Sequence, residues 1–261
     1  MQGIRTLKIV TGSLRTIPLP PLRRPPGTPD EPKTEELVQW GISIFEFSLI
    51  AHIQKVLAGL VQLAEAENVA ASAPVCRHVF EWAALSCLLK GKLTDQFKRR
   101  DWEEAWELLT KAVLGSIWYR KHGAKYTENP PTTPSIECPT PVNVHDTVVE
   151  YERYQSSNSK DADAGNNYSF LCESSHANAA CLQRYYEYEK NGVVIRFIDP
   201  DLDPQGKSFL PFVNCCLIDL LTFGYELLGL ANEIEVRPKI LVVLKELAQL
   251  APARLTGTIP A

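Results

Sequence analysis

Arg77 and Glu81 stand one helical turn apart in a segment, Val75 to Leu89, whose other residues are nearly all apolar. The next positions on the Arg77 face are Ala84 and Leu88, so the pair is expected to be partly buried. A guanidinium drawn out of water needs a partner, and removing one member of a buried pair costs about 3 to 5 kcal/mol. Arg before Glu is the weaker order for an i,i+4 bridge, so further partners are expected from elsewhere in the chain. The best source is Tyr168-Ser169-Phe170-Leu171-Cys172-Glu173-Ser174-Ser175-His176-Ala177-Asn178. In one reading, the favoured one, Arg77, Glu81, Tyr168, Glu173 and His176 form a satisfied polar network that fixes helix register. In the other they line a cleft. His176 is then acid or base near neutral pH, Glu173 and Glu81 are the accompanying carboxylates, and Arg77, Tyr168 and Asn178 hold an anion or phosphate. No Gly-rich phosphate loop supports nucleotide chemistry. Cys172 and His176 are spaced i,i+4, but two ligands do not make a site, so neither a metal nor a cofactor is expected.

These residues must be positioned by helices. From Thr34 an apolar pattern runs through Leu37, Trp40, Ile44, Phe47, Ile50, Ala51, Leu57, Leu60, Val61 and Ala64, with spacings mostly of three and four, a long helix with Thr34 at its start. Ser72 with Pro74 just inside opens a second helix, which ends near Gly91. A third begins at Asp101, where Asp101-x-x-Glu104 suits a capping box, and ends at His122-Gly123. Residues 123–141 hold five prolines and form a long loop. A helix over Val142 to Gln155 follows, then an exposed Ser/Asp/Asn/Gly connection over 156–167 and a helical stretch from Tyr168 to Ser175. Arg184 to Glu189 and Val193 to Ile198 flank Lys190-Asn191-Gly192, a β-hairpin signal. Two helices, Ser208 to Asn232 and Pro238 to Leu250, close the chain. The expected fold is mainly α, a single helical-bundle domain over 34–251 with one small hairpin at about 184–198 and a tail over 252–261.

An Arg-x-x-(Phe/Leu)-Glu signature on an early helix, followed about a hundred residues later by Tyr-x-x-Leu-Ser-x-x-x-His, resembles a bacterial, mainly helical family described only as a domain of unknown function. Arg77, Phe80 and Glu81 fall on the first motif; Tyr168, Leu171 and His176 fall on the second, with Cys172 in place of the usual serine. The resemblance extends over residues 35–235 and implies a helical fold in a bacterial stress or defence setting, without implying an activity. Likeness to the HEPN ribonucleases is weak. Their arginine precedes a histidine by four to six residues, whereas here Arg77 is followed at once by His78 and Arg120 lies two residues before His122.

Composition excludes more than it names. The 261 residues are 45% apolar and 22% charged, ordinary for a globular chain, and the net charge of −4 argues against a surface that is basic all round. The first 33 residues differ: seven prolines and six basic side chains against Asp30 and Glu31 predict a flexible, Pro-rich basic arm. Within it Pro18-Leu19-Pro20-Pro21-Leu22-Arg23 matches a polyproline ligand, and the absence of acid before Asp30 also suits an organelle-targeting leader. Seven dispersed cysteines with no C-x-x-C pair, and no secretory signal at Met1, suggest reduced thiols in the cytoplasm. Phe209 to Ala231 is long and apolar, but Asn214, Asp219 and Glu226 favour a buried helix over a membrane span. Asp219, Glu226 and Glu233 recur every seven residues and suggest a solvated stripe, or else inward partners for Arg77. His52, inside an otherwise apolar helix, suits a hydrogen-bonded interior or boundary histidine rather than a ligand. The expectation is a non-enzymatic helical module binding a protein or small anionic ligand, with no membrane role and nucleic acid reached only through the arm. The alternative is a hydrolase or nuclease acting on a phosphate-containing substrate through His176, Glu173 and Arg77.

Overall fold

The computed structural model describes residues 2–17, 26–27, 33–66, 68–114, 140–158, 168–169, 171–172, 186–188, 194–197 and 209–250. Among these the chain is mainly helical: α1 (Gln2–Arg15), α2 (Glu35–Glu65), α3 (Val69–Arg99), α4 (Trp102–Leu114), α5 (Val144–Asn158), α6 (Phe209–Leu230) and α7 (Arg237–Leu250). Two short strands, β1 (Tyr186–Tyr188) and β2 (Val194–Phe197), pair antiparallel with Tyr186 opposite Phe197 and Glu187 opposite Arg196. The Asn191-Gly192 turn signal lies outside the described residues, as do the 123–139 part of the expected loop, 159–167 of the connection, and the tail.

Helix α3 is the centre of the bundle, packed against α2, α4, α5 and α6, while α1 and α7 close over α2 and α6. Its start is set by Asn68, whose side chain accepts the Ala71 N–H at 2.9 Å, and by Ser72, whose hydroxyl donates to the Asn68 carbonyl at 2.7 Å. The helix therefore begins before Ser72, and Pro74 lies inside it on an exposed position. Nor does it stop at Gly91. That glycine is a solvent-facing helical residue, a tolerable loss of about 1 kcal/mol against alanine, and Leu93 and Gln96 continue the buried face beyond it. Termination falls to Arg100, which takes the left-handed conformation at φ 57°. Its neighbour Asp101 then caps α4 by accepting the Glu104 N–H at 3.2 Å. Thr34 caps α2 in the same way, accepting from Leu37 N.

The expected flexible arm is corrected for its first half. Residues 2–15 form α1, and Leu7, Val10, Leu14 and Ile17, at spacings of three and four, are buried in the common core. All seven prolines of the 33-residue stretch lie at or after Pro18, so an average over the stretch conceals an amphipathic helix ahead of them. The Ser13 hydroxyl donates to Glu246 at 2.6 Å, and the Gln54 amide donates to the Leu14 carbonyl at 2.7 Å. The Pro18–Arg23 motif itself lies outside the described residues.

Helix α2 and the Val213–Leu230 part of α6 are each long and apolar enough to cross a membrane. Within the bundle the acids of α6 find protein partners: Asp219 accepts from Tyr151 Oη at 2.6 Å and Gln155 Nε2 at 3.2 Å, and Glu226 pairs with Lys90 at 2.9 Å.

Where α2 crosses α6, Glu46 is buried in an apolar setting of Leu14, Leu49, Ile53, Leu220, Leu221 and Ile240, beside a cavity of ≈ 10 Å³. Glycine at 224 leaves room for this carboxyl: a Cβ there would lie 2.7 Å from Glu46 Oε2 and would require the carboxyl to shift. No donor reaches Glu46 Oε1 among the described residues. Burial pushes this carboxyl up to about 8. The proton that the folded state retains supports folding fully below the unfolded value of 4.5, and that support is lost as pH rises through the folded value. Over this window the folded protein should lose ~1.4 kcal/mol of stability per pH unit through Glu46. Urea unfolding at intervals from pH 5 to 8 should show Glu46→Gln losing that much less per unit than the parent. Equal slopes would contradict the assignment.

Candidate functional site

On α3, Arg77 and Glu81 form the expected i,i+4 pair, Arg77 Nε donating to Glu81 Oε1 at 2.8 Å with about a quarter of each side chain exposed. The further partner is Tyr168, whose hydroxyl donates to the same Glu81 oxygen at 3.1 Å. The Arg77 guanidinium lies 5.7 Å from the Tyr168 ring centroid, within cation–π range. Below this polar layer the Tyr168 ring stacks on Phe80 with centroids 5.1 Å apart, and Phe80 meets Tyr151 edge-on at 5.3 Å. Leu171 is fully buried. Tyr168 is thus fixed to α3 by one shared carboxylate above and an aromatic stack beneath.

The electrostatics follow from that arrangement. Partial burial alone would lower the Arg77 pKa, but the hydrogen bond and charge of Glu81 outweigh it and the net shift is upward. Tyr168 is raised as well, first by burial, then by its bond with Cys172 and the charge of Glu81. Neither group exchanges a proton near neutral pH. Glu173, His176 and Asn178, the remaining candidates, lie outside the described residues.

The acidic stripe expected on α6 is not one. Asp219 is enclosed beside Tyr151 and Gln155, Glu226 reaches Lys90, and Glu233 accepts from the Ser43 hydroxyl at 2.7 Å. Asp219 and Glu226 lie on α6 and Glu233 just past its end, so each carboxylate meets a different neighbour, and none of the three bonds to Arg77. Burial raises the Asp219 pKa, while the bonds from Tyr151 and Gln155 oppose the shift.

A second polar cluster sits on the adjacent ridge of α3. His78 Nε2 lies 2.8 Å from His52 Nε2 on α2, and the indole Nε1 of Trp82 donates to His78 Nε2 at 2.6 Å. An indole N–H only donates, so His78 Nε2 carries the lone pair and the His78 proton sits on Nδ1; His52 then donates through its own Nε2. The sequence signal for this cluster is the His78/Trp82 spacing of four, with His52 supplied by the neighbouring helix. His52 is a hydrogen-bonded, exposed histidine. His78 is shifted down by burial and by His52, with Glu81 pulling the other way.

Two outcomes follow. Tyr168→Phe should cost about 1 kcal/mol and Glu81→Ala about 2 kcal/mol in urea unfolding. Because both donors share one oxygen, the double variant should depart from additivity by at least ~0.5 kcal/mol; strict additivity would show that the shared carboxylate is not the joint. The lowered His78 pKa means its contribution is complete above the unfolded value of 6.5 and is lost as pH falls below it. His78→Gln retains an acceptor for Trp82 and does not titrate. The stability gap between parent and variant should therefore move against the parent from pH 7 to pH 5, and a constant gap would refute this.

No family model, curated protein or solved structure matches this chain.

Proposed function

We propose that this protein is a non-enzymatic helical module that binds a protein partner or a small anionic ligand. The observation that carries the reading is the double use of Glu81 Oε1, which accepts from both Arg77 and Tyr168. An arginine that served as a phosphate clamp would present its donors to solvent as a planar fork. Here the Nε donor is already committed to an internal carboxylate, and the charge of the guanidinium is offset within the pair. The shared oxygen ties Tyr168 to α3, which makes Arg77 and Glu81 parts of a register-setting network rather than of reaction machinery. Support for the wider reading is of the same kind: in the described structure the polar groups that recur at helical spacing, Asp219, Glu226 and Glu233, are matched with protein partners.

The finer architecture belongs to this proposal: one bundle domain in which Lys190-Asn191-Gly192 closes β1 and β2 into a hairpin. So does the setting, a cytoplasmic protein of a bacterial stress or defence system, which rests on the motif resemblance at Arg77, Phe80, Glu81, Tyr168, Leu171 and His176. Incubation of the purified full-length chain with nucleoside triphosphates and single-stranded RNA tests it. No turnover above buffer is expected. Turnover that His176→Ala abolishes without lowering thermal stability would overturn the proposal in favour of a hydrolase or nuclease using His176, Glu173 and Arg77.

A further inference from the structure

Glu46 lies where the N-terminal helix closes over the bundle. Its side chain is fully enclosed, and no donor reaches Oε1 among the described residues. The groups that face it are apolar on every side: Leu14 from α1, Leu49 and Ile53 from α2, Leu220 and Leu221 from α6, and Ile240 from α7. None of these titrates, and burial is what shifts the carboxyl. The charged side chains of the same helices are engaged elsewhere. Lys8 of α1 pairs with Glu65, Glu246 of α7 accepts from Ser13, Arg237 packs on the Tyr225 ring, and Asp219 and Glu226 of α6 reach Tyr151 and Lys90. The cavity beside Glu46, ≈ 10 Å³, is about the least that admits one water, and one water does not hydrate a carboxylate.

We propose that α1 is a pH-sensitive latch: ionisation of Glu46 releases it from its seat on α2, α6 and α7, and protonation docks it again. An enclosed carboxylate is relieved only when water reaches it, so one wall of the cavity must give way. Helices α2 and α6 also pack on α3, and α7 follows directly on α6, so moving any of them disturbs the centre of the bundle. Helix α1 is the wall whose displacement costs least. It has 14 residues with Gly12 among them, a length at which a helix is marginal in water, so docking is what keeps it helical. Its ties through Ser13 to Glu246, Gln54 to the Leu14 carbonyl, and Lys8 to Glu65 are half-buried or exposed, and water can replace them. The sign follows from linkage. A hydrated Glu46 ionises near its ordinary value of 4.5, and an enclosed one only at about 8. Undocking therefore gives up a proton, and the ratio of undocked to docked α1 rises about tenfold per pH unit across that window, then levels off. The seat covered by Leu7, Val10, Leu14 and Ile17 stays shut in acid and opens toward neutral and alkaline pH.

Hydrogen exchange of the full-length chain, followed by mass spectrometry at pH 6 and pH 8 and corrected for the intrinsic pH dependence of amide exchange, tests the latch. Peptides from residues 2–17 should exchange at least ~10-fold faster than the Val79–Leu93 part of α3 at both pH values, because a latch opens ahead of the bundle. Their protection should fall at least ~10-fold from pH 6 to pH 8. In Glu46→Gln that fall should shrink to less than about threefold. Glu46→Leu, which fills the site with an aliphatic group, should behave in the same way, and with thermal stability as the check the two variants guard against one that merely misfolds. Leu14→Ala should speed exchange of residues 2–17 at both pH values and keep its pH dependence. Protection of 2–17 that does not change with pH in the parent, a fall that persists in both Glu46 variants, or exchange no faster than that of α3 would overturn the latch. The turnover assay reads His176 and is independent of all three results.

Discussion

A helix that neighbours cover on most of its circumference cannot keep a free charge on its covered faces, and α3 is such a helix. With α2, α4, α5 and α6 packed around it, its charged residues have two outcomes: a narrow solvent-facing strip, or a partner. Lys90 reaches Glu226, Arg77 reaches Glu81, and His78 accepts from Trp82 while meeting His52. The two i,i+4 pairs Arg77/Glu81 and His78/Trp82 occupy adjacent ridges, which is why two polar clusters of different chemistry lie side by side. Covering α3 thus explains both the clamp that holds Tyr168 and the histidine seam.

Close packing around α3 places matching demands on its neighbours. Gly41 of α2 meets the Trp106 ring of α4, where a Cβ would stand 3.0 Å from the ring, so a larger residue would require the indole to shift. Gly224 plays the same part toward Glu46, with the opposite energetic sense. The space left by its missing side chain houses a carboxyl whose Oε1 finds no donor among the described residues. A protonated carboxyl is less costly there than a carboxylate, yet still costs more than an aliphatic group of the same volume. The α2–α6 crossing is therefore destabilised at a position where Leu14 of α1 closes the same cavity. Helix α1 consequently contributes to the protein's core rather than decorating it.

Legibility in the sequence followed from whether the signal was local. Thr34 and Asp101 cap helices as their side chains predict, because a cap depends on three consecutive residues and little else. The i,i+4 relation of Arg77 and Glu81, and the need for a third partner from Tyr168, followed from burial and from the unfavourable order of the pair. Helix α1 was concealed by the prolines that follow it, which shows the weakness of averaging composition across a boundary. Gly91 suggested a helix end because glycine commonly ends helices, but the apolar face continued past it through Leu93, and packing overrode propensity. The destinations of Asp219, Glu226 and Glu233 depended on where α6 ends and on which elements lie beside it, and a seven-residue spacing does not encode that. His52 and His78 are 26 residues apart and meet only because α2 and α3 pack together.

The same distinction bears on function. A cluster that consumes its own charges, as Glu81 does with Arg77 and Tyr168, gains rigidity at the expense of free valence for a ligand. The His52–His78 pair differs because its bond is a proton shared between two bases, one of them exposed to solvent. Of the two clusters on α3, the histidine pair joins α2 to α3 through a hydrogen bond between two imidazoles, and the one in which Glu81 Oε1 accepts from both Arg77 and Tyr168 provides the fixed frame beside it.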